Sequence, residues 1–186
     1  HISNSENREY TEKQAEVFEE IISELEILGI NYKYKHIAAS PALFLYEGKY
    51  NYGLSRIGMA IYGMEPLSFR DSGLKSSVIL KTKIINLRNV AKGDYISYGE
   101  KNRLKEDKRI AVIPIGYAQG IQMQIEGTGA YVLVNGKKAP IVGEVCMDMT
   151  MLDITEIEDV KVFDEVVLIG FQEGKEITLK DMAGWT

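Results

Sequence analysis

Apolar residues recur at Phe18, Ile21, Ile22, Leu25 and Leu28, the spacing of one buried helix face. Just ahead of that stripe, Thr11-Glu12-Lys13-Gln14 reads as a capping box. Gly29 stands where a helix closes on a left-handed glycine. A short strand is predicted over 34–39. A short helix follows over 41–46, opened by Ser40 as cap with Pro41 at the first helical position. The run 54–62 carries Ile57, Met59, Ala60 and Ile61 and reads as a buried strand. Strands alternating with helices predict parallel βα units.

The pattern changes after Gly73. Alternating or β-branched runs cover 78–86, 95–98, 109–115, 130–134, 139–145, 147–154 and 165–169. Lys92-Gly93-Asp94, Asn135-Gly136 and Glu173-Gly174 separate them, and Asn-Gly between two such runs is a strong hairpin signal. Many short strands with tight turns predict a β barrel or sandwich. Met64-Glu65-Pro66 and Asp71-Ser72-Gly73 place a boundary within 64–76, so the expected domains are residues 1–70 and 71–186.

The first domain is too small to stand as a complete parallel sheet, which needs cover on both faces. A full barrel of eight βα units takes about 250 residues. The fold class expected is therefore α/β plus all-β. The latter part of a (β/α)8 TIM barrel occupies 1–70, and a C-terminal β-barrel-like domain occupies 71–186. The chain opens on HISNSENREY without Met and stops at DMAGWT. The earlier barrel strands are expected in a preceding segment or another chain, and the β domain is expected to be truncated at its end.

Composition narrows the partners. Lys+Arg total 22 against 27 Asp+Glu, a net charge of -5 with no basic block, which argues against nucleic acid or an anionic membrane surface. No apolar run approaches the roughly 20 residues of a membrane span. The single Cys, Cys146, permits no intrachain disulfide and favours an intracellular, cytoplasmic home. Two His and one Cys cannot build a His/Cys metal cage within one chain, so no metal is expected.

Several residues carry candidate chemistry. The helix start at Ser40-Pro41 offers free N–H groups and a positive dipole end, which suit a phosphate; Ser40 as a simple cap is the alternative. Arg56 ends an apolar run, where barrels build their sites, and Gly58 lets backbone approach a ligand. A surface Arg and a packing glycine are the plainer reading. Tyr98 and Tyr117 each sit on glycine-flanked loops, yet tyrosine is ordinarily packed, and a poor base at neutral pH. Cys146 has no His nearby in sequence and reads as a small buried residue. Asp148 and Asp153 are an odd number apart, so a regular strand puts them on opposite faces. His1 and His36 flank strand-like segments and read individually as structural.

Taken in order, His36-Ile37-Ala38-Ala39-Ser40, Arg56-Ile57-Gly58-Met59-Ala60-Ile61-Tyr62-Gly63, Ser97-Tyr98-Gly99, Ile115-Gly116-Tyr117-Ala118-Gln119-Gly120 and Ala139-Pro140-Ile141-Val142-Gly143-Glu144-Val145-Cys146-Met147-Asp148 resemble alanine racemase across nearly all 186 residues. The resemblance implies a pyridoxal 5'-phosphate enzyme, a head-to-tail homodimer with shared active sites. It implies interconversion of L- and D-alanine for peptidoglycan precursor synthesis by two-base proton transfer. By the same resemblance, Ser40 holds the cofactor phosphate with backbone near Gly58 and Met59. Arg56 faces the pyridine nitrogen, and His1 links that Arg to Tyr98, the base on one face of the substrate. The second base, the cofactor lysine, lies outside this chain. Tyr117 lines the substrate entrance from the partner subunit, Met147 offers its N–H to the substrate carboxylate, and Asp148 lies beside it. Departures fall at Ala39, where the family carries Asn, and at Gln119, where it carries Asp. A serine-preferring or broad-specificity racemase of the same fold is the alternative, as is a catalytically inactive fragment.

Overall fold

The structure is a computed structural model that describes residues 1–64, 66–67 and 73–185. Glu65, Asp71 and Ser72, three of the breakers used to place the boundary, lie outside the described residues, as does Thr186. The chain divides into two compact units, His1–Ser77 and Val78–Thr186.

In the first unit, α1 (Arg8–Ile27) starts earlier than its apolar stripe indicated. Its cap is Asn7, whose Oδ1 accepts the Tyr10 N–H at 3.0 Å. Thr11 is therefore not a cap. It is buried inside the helix, and its hydroxyl donates to the Asn4 carbonyl. The additional turn is polar, so periodicity missed it; Arg8 and Glu12 pair across it at 3.1 Å. At the other end Gly29 has φ +75°, the Gly29 N–H donates to Glu26 and the Ile30 N–H donates to Leu25. These bonds form a Schellman motif, as expected of a left-handed glycine. Ala15 is buried and Phe18 packs on Tyr52, while Ile21 and Leu28 stay exposed.

Residues 35–39 and 53–56 lie parallel through the Lys35–Gly53 and Ala39–Arg56 bridges, and the Arg56 N–H donates to the Ala38 carbonyl at 3.1 Å. The two segments run parallel as expected, but neither 34–39 nor 54–62 forms a strand; their pairing is limited to these isolated bridges. Gly58, at φ −112° and ψ −103°, leaves strand geometry and opens a 3-10 helix over Met59–Tyr62. Between the two segments stands α2 (Ser40–Leu45), with Pro41 in its first turn. Its cap position is Ala39, which makes no side-chain capping bond, so Ser40 is not the cap. Ile2, Ala15, Ile37, Ala38, Ala42 and Tyr50 form the small core.

The second unit contains β1 (Leu80–Lys83), β2 (Asn86–Val90), β3 (Lys108–Ile113), β4 (Tyr131–Val134), β5 (Lys137–Val142), β6 (Thr150–Asp153), β7 (Glu165–Gln172), β8 (Lys175–Ile177) and α3 (Leu179–Gly184). The strands form one antiparallel sheet in the order β1-β7-β4-β5-β6-β3-β2, with β8 on β7. Its two end strands, β1 and β2, are joined by only Ile84 and Ile85. The Ile84 N–H donates to Asp164 next to β7, and the Ile85 N–H donates to Val112 on β3. One bent run thus pairs with both ends of the sheet and closes it as a barrel does. The expected single strand 78–86 is for that reason two strands.

Asn135 and Gly136 both take positive φ, 47° and 64°, the geometry of the tight β4–β5 hairpin. Glu173 and Gly174 repeat it between β7 and β8. Ile84, Ile113, Leu152, Ile154 and Leu168 sit in the core this sheet encloses. Residues 147–149 do not belong to a strand: the Cys146 N–H donates to the Met149 carbonyl at 2.9 Å and turns the chain before β6. The final β8 and α3 had no counterpart in the hydrophobic pattern. Thr178 and Asp181 form a reciprocal capping box there, a signal present in the sequence. Among the described residues no helix is long and apolar enough to cross a membrane.

Candidate functional site

Two groups of the expected residues assemble, one in each unit. In the first unit, Arg56 is the centre. Its Nη1 meets His36 Nδ1, its Nη2 meets His1 Nδ1, and Nη2 also donates to the Ile37 carbonyl at 3.2 Å. Arginine has only donors to offer, so both imidazoles accept through Nδ1 and carry their proton on Nε2. The parallel bridge at Ala39–Arg56 brings 36 and 56 together, and the Ile2 N–H donates to Ile37, which brings His1 alongside. His36 is the partner that sequence reasoning missed. A lone His has no local signature, and only the parallel bridges between the two segments pair it with Arg56.

Close by in the same unit, Ser40 is buried, and its Oγ accepts the Gly58 N–H at 3.1 Å. A hydroxyl that accepts from backbone keeps its own proton to donate to a further group. The N–H groups of Met59 and Ala60, opening the 3-10 helix, have no partner inside it. A Cβ built at Gly58 would meet nothing within 4 Å, so the space over this turn is open. A hydroxyl proton, backbone donors and a fixed guanidinium suit a planar group with an anionic end and a ring acceptor.

In the second unit, Tyr98 projects from a corner and is 66 % exposed. Both neighbours have positive φ, Ser97 at +59° and Gly99 at +79°. For Ser97 this conformation is unusual, and the surroundings hold it. The Ser97 hydroxyl donates to the Glu144 carbonyl and lies 3.7 Å from the Cys146 sulfur. Asn102 Nδ2 donates to the Tyr98 carbonyl at 2.8 Å. Lys101 pairs with Glu144 at 2.9 Å, and the hydrogen bond and charge of that carboxylate hold the ammonium above its ordinary pKa. Tyr98 is thus presented to solvent on a backbone fixed from both sides.

The loop 116–120 lies directly on the loop 146–148. The Tyr117 N–H donates to Cys146 and the Ala118 N–H donates to Met147, both at 3.0 Å. The approach is so close that a Cβ at Gly116 would stand 2.1 Å from the Cys146 carbonyl oxygen. Gln119 Oε1 accepts the Gly116 N–H at 2.8 Å, and its Nε2 donates to Asp148 Oδ1 at 3.1 Å. Tyr117 lines an open cavity of about 420 Å³ with Gly120, Ile121, Gln122, Met123 and Gln124. Met147 is 56 % exposed, and its carbonyl is occupied by Ala118. Tyr117, Met147 and Asp148 are therefore brought together, with Tyr98 tied to the same 144–146 segment through Ser97. Glu144, Lys101 and Asn102 were not anticipated, because each acts through a contact distant or irregular in sequence.

Residues 77–186 match the family model described as alanine racemase, C-terminal domain, and residues 1–66 match alanine racemase, N-terminal domain. Alanine racemase 2 of Caldanaerobacter subterraneus subsp. tengcongensis is 41% identical over 184 residues, 97% of this chain and 47% of that protein. The crystal structure of alanine racemase from Bacillus anthracis with bound L-Ala-P aligns at TM-score 0.85 and 34% identity, over 100% of this chain and 48% of that one. Alanine racemase from Bartonella henselae with covalently bound pyridoxal phosphate aligns at TM-score 0.79 and 26% identity, over 100% of this chain and 49% of that one. The chain spans about half the length of the relatives it matches. With both of its units matched by the family's two domains, the chain belongs to the alanine racemase family.

Proposed function

We propose that the protein carrying this chain is a pyridoxal 5'-phosphate-dependent racemase that interconverts L- and D-alanine and supplies D-alanine for peptidoglycan precursors. The observation that carries the reading is Arg56, fixed by two imidazoles and a carbonyl beside the buried Ser40, whose Oγ accepts the Gly58 N–H. Residues 1–70 then form the cofactor-binding portion of the barrel, and 71–186 the C-terminal β domain. The Bartonella relative's bound pyridoxal phosphate supports the choice of cofactor.

Pyridoxal phosphate, when bound, supplies the electron sink that lets the substrate Cα release a proton. Ser40, its Oγ already accepting the Gly58 N–H, would donate its free hydroxyl proton to the phosphate, helped by the open Met59 N–H. Arg56, a permanent cation held by His1, His36 and the Ile37 carbonyl, would face the pyridine nitrogen and disfavour a second positive charge there. The Tyr98 hydroxyl moves the proton on one face of Cα, and a lysine outside these 186 residues serves the other face. The Met147 N–H binds the substrate carboxylate beside Asp148, and Tyr117 lines the entrance. Two copies form a homodimer with shared sites, in the cytoplasm. The 186 residues alone, without that lysine, are inactive.

Two experiments test this. Pyridoxal phosphate addition, borohydride reduction and intact mass are expected to show one specific adduct on the lysine-bearing protein and none on the 186-residue chain. In the former, Tyr98→Phe is expected to keep the cofactor and lose racemisation by about 10²–10⁴-fold, the usual contribution of a positioned acid–base group. Near-normal kcat in that variant overturns the assignment. Relative kcat/KM for alanine and serine separates an alanine racemase from a serine-preferring or broad-specificity one.

A further inference from the structure

Residues 117, 118 and 119 meet residues 146, 147 and 148 one for one. The first two rungs are backbone bonds, Tyr117 to Cys146 and Ala118 to Met147. The third is made by a side chain, Gln119 Nε2 to Asp148 Oδ1. The same amide turns back through Oε1 to accept the Gly116 N–H. Those partners fix its orientation, because a backbone N–H can only donate and an ionised carboxylate can only accept. A carboxylate at 119 would still accept from Gly116 but would have no proton for Asp148, and it would set two negative charges together. An alanine would lose both bonds. The demand for a group that accepts on one side and donates on the other is met here by a neutral amide.

We propose that Gln119 is a positioning residue whose amide keeps the loop 116–120 in register on the loop 146–148, and so holds Tyr117 and the Met147 N–H in place for substrate. The kinetic consequence rests on the racemase reading; the register does not. Gly116 makes the arrangement demanding. With no Cβ it lets the loops touch, and that contact leaves no slack for a shifted register.

The test compares the cofactor-loaded protein carrying this chain with Gln119→Glu and with the pair Gln119→Glu/Asp148→Asn. In the pair, the amide introduced at 148 donates to the carboxylate at 119, so the rung is rebuilt with its polarity reversed. Gln119→Glu is expected to raise KM for alanine roughly fivefold with kcat within about twofold; because Asp148 stands beside the substrate carboxylate, the pair is judged by hydrogen exchange alone. Amide hydrogen exchange gives a second readout that does not need turnover. The Tyr117 and Ala118 N–H groups are expected to exchange faster in Gln119→Glu and to regain protection in the pair. The core amides of Leu133 and Val167, unchanged throughout, report an intact fold. Unchanged KM and exchange in Gln119→Glu overturn the proposal, as does a pair whose Tyr117 and Ala118 N–H groups exchange no slower than in the single variant. If the parent protein does not racemise alanine, the functional reading fails and the exchange data alone decide the role of Gln119.

Discussion

Replacing Gly116 with alanine is the sharpest test of how the second unit holds its loops. A Cβ there would lie 2.1 Å from the Cys146 carbonyl oxygen, 2.5 Å from that of Met147 and 2.7 Å from the Met147 carbonyl carbon. All three atoms are backbone, so no rotamer change relieves the contact. The glycine is not needed for a left-handed conformation, since Gly116 is extended at φ −146° and ψ −154°. Ordinary van der Waals contact requires the two loops to part by more than an ångström. The two 3.0 Å bonds from Tyr117 and Ala118 then pass beyond hydrogen-bond range. Two net backbone bonds together with overpacking of a tight site come to about 2–4 kcal/mol. For a unit of this size that lowers Tm by roughly 10–15 °C. Calorimetry or near-ultraviolet circular dichroism melts of Gly116→Ala against the parent read it directly. Gly58→Ala is the control: its Cβ meets nothing within 4 Å, so a change below about 1 kcal/mol is expected. A Gly116→Ala melt within about 2 °C of the parent would refute the reasoning, because the loops would then separate without loss.

Two further outcomes are expected. Arg56→Glu places acceptors against the Nδ1 atoms of His1 and His36 and the Ile37 carbonyl, and removes the cation facing the proposed pyridine nitrogen. Racemisation should fall and transamination side products should rise; if product analysis finds both rates unchanged, the assignment of Arg56 is wrong. Asp153 is pushed up by burial, but hydrogen bonds from Lys108 and Thr155 outweigh this and hold its carboxyl below the usual range. A depressed folded value means that its stabilisation is complete above the unfolded pKa of about 3.9 and is lost as pH falls through the lower folded one. Asp153→Asn should therefore lower the denaturant midpoint at pH 7 and flatten its decline toward pH 3. Parallel midpoint curves for parent and variant would rule that out.

The local grammar of the chain was legible because it depends on residue chemistry within a few positions. Asn135-Gly136 forms its hairpin since both residues tolerate positive φ, and Gly29 ends α1 for the same reason. The ordered motifs around Ser40, Arg56, Tyr98, Tyr117 and Met147 identified the family, because long-range constraints leave a linear trace when many are taken in order. Boundaries were less legible. The polar first turn of α1 carries no periodic signal, so Thr11 stood in for Asn7. The run 54–62 is apolar like a strand, yet Gly58 turns it into a 3-10 helix.

What the sequence determined by itself was therefore local: the turns, the existence of α1 and its glycine stop, the β-rich second half and the parallel course of the two segments around α2 in the first. Tertiary structure alone decided who meets whom. Two isolated parallel bridges bring His36 to Arg56 across twenty residues. The folded chain brings Ser97 to Glu144 and Gln119 to Asp148. Ile84 and Ile85, two similar residues in one apolar run, send their N–H groups to opposite ends of the sheet and close it. Hydrogen bonds of this kind need only a donor, an acceptor and a distance. The first two are written in the residue types, and the third exists only once the chain has folded.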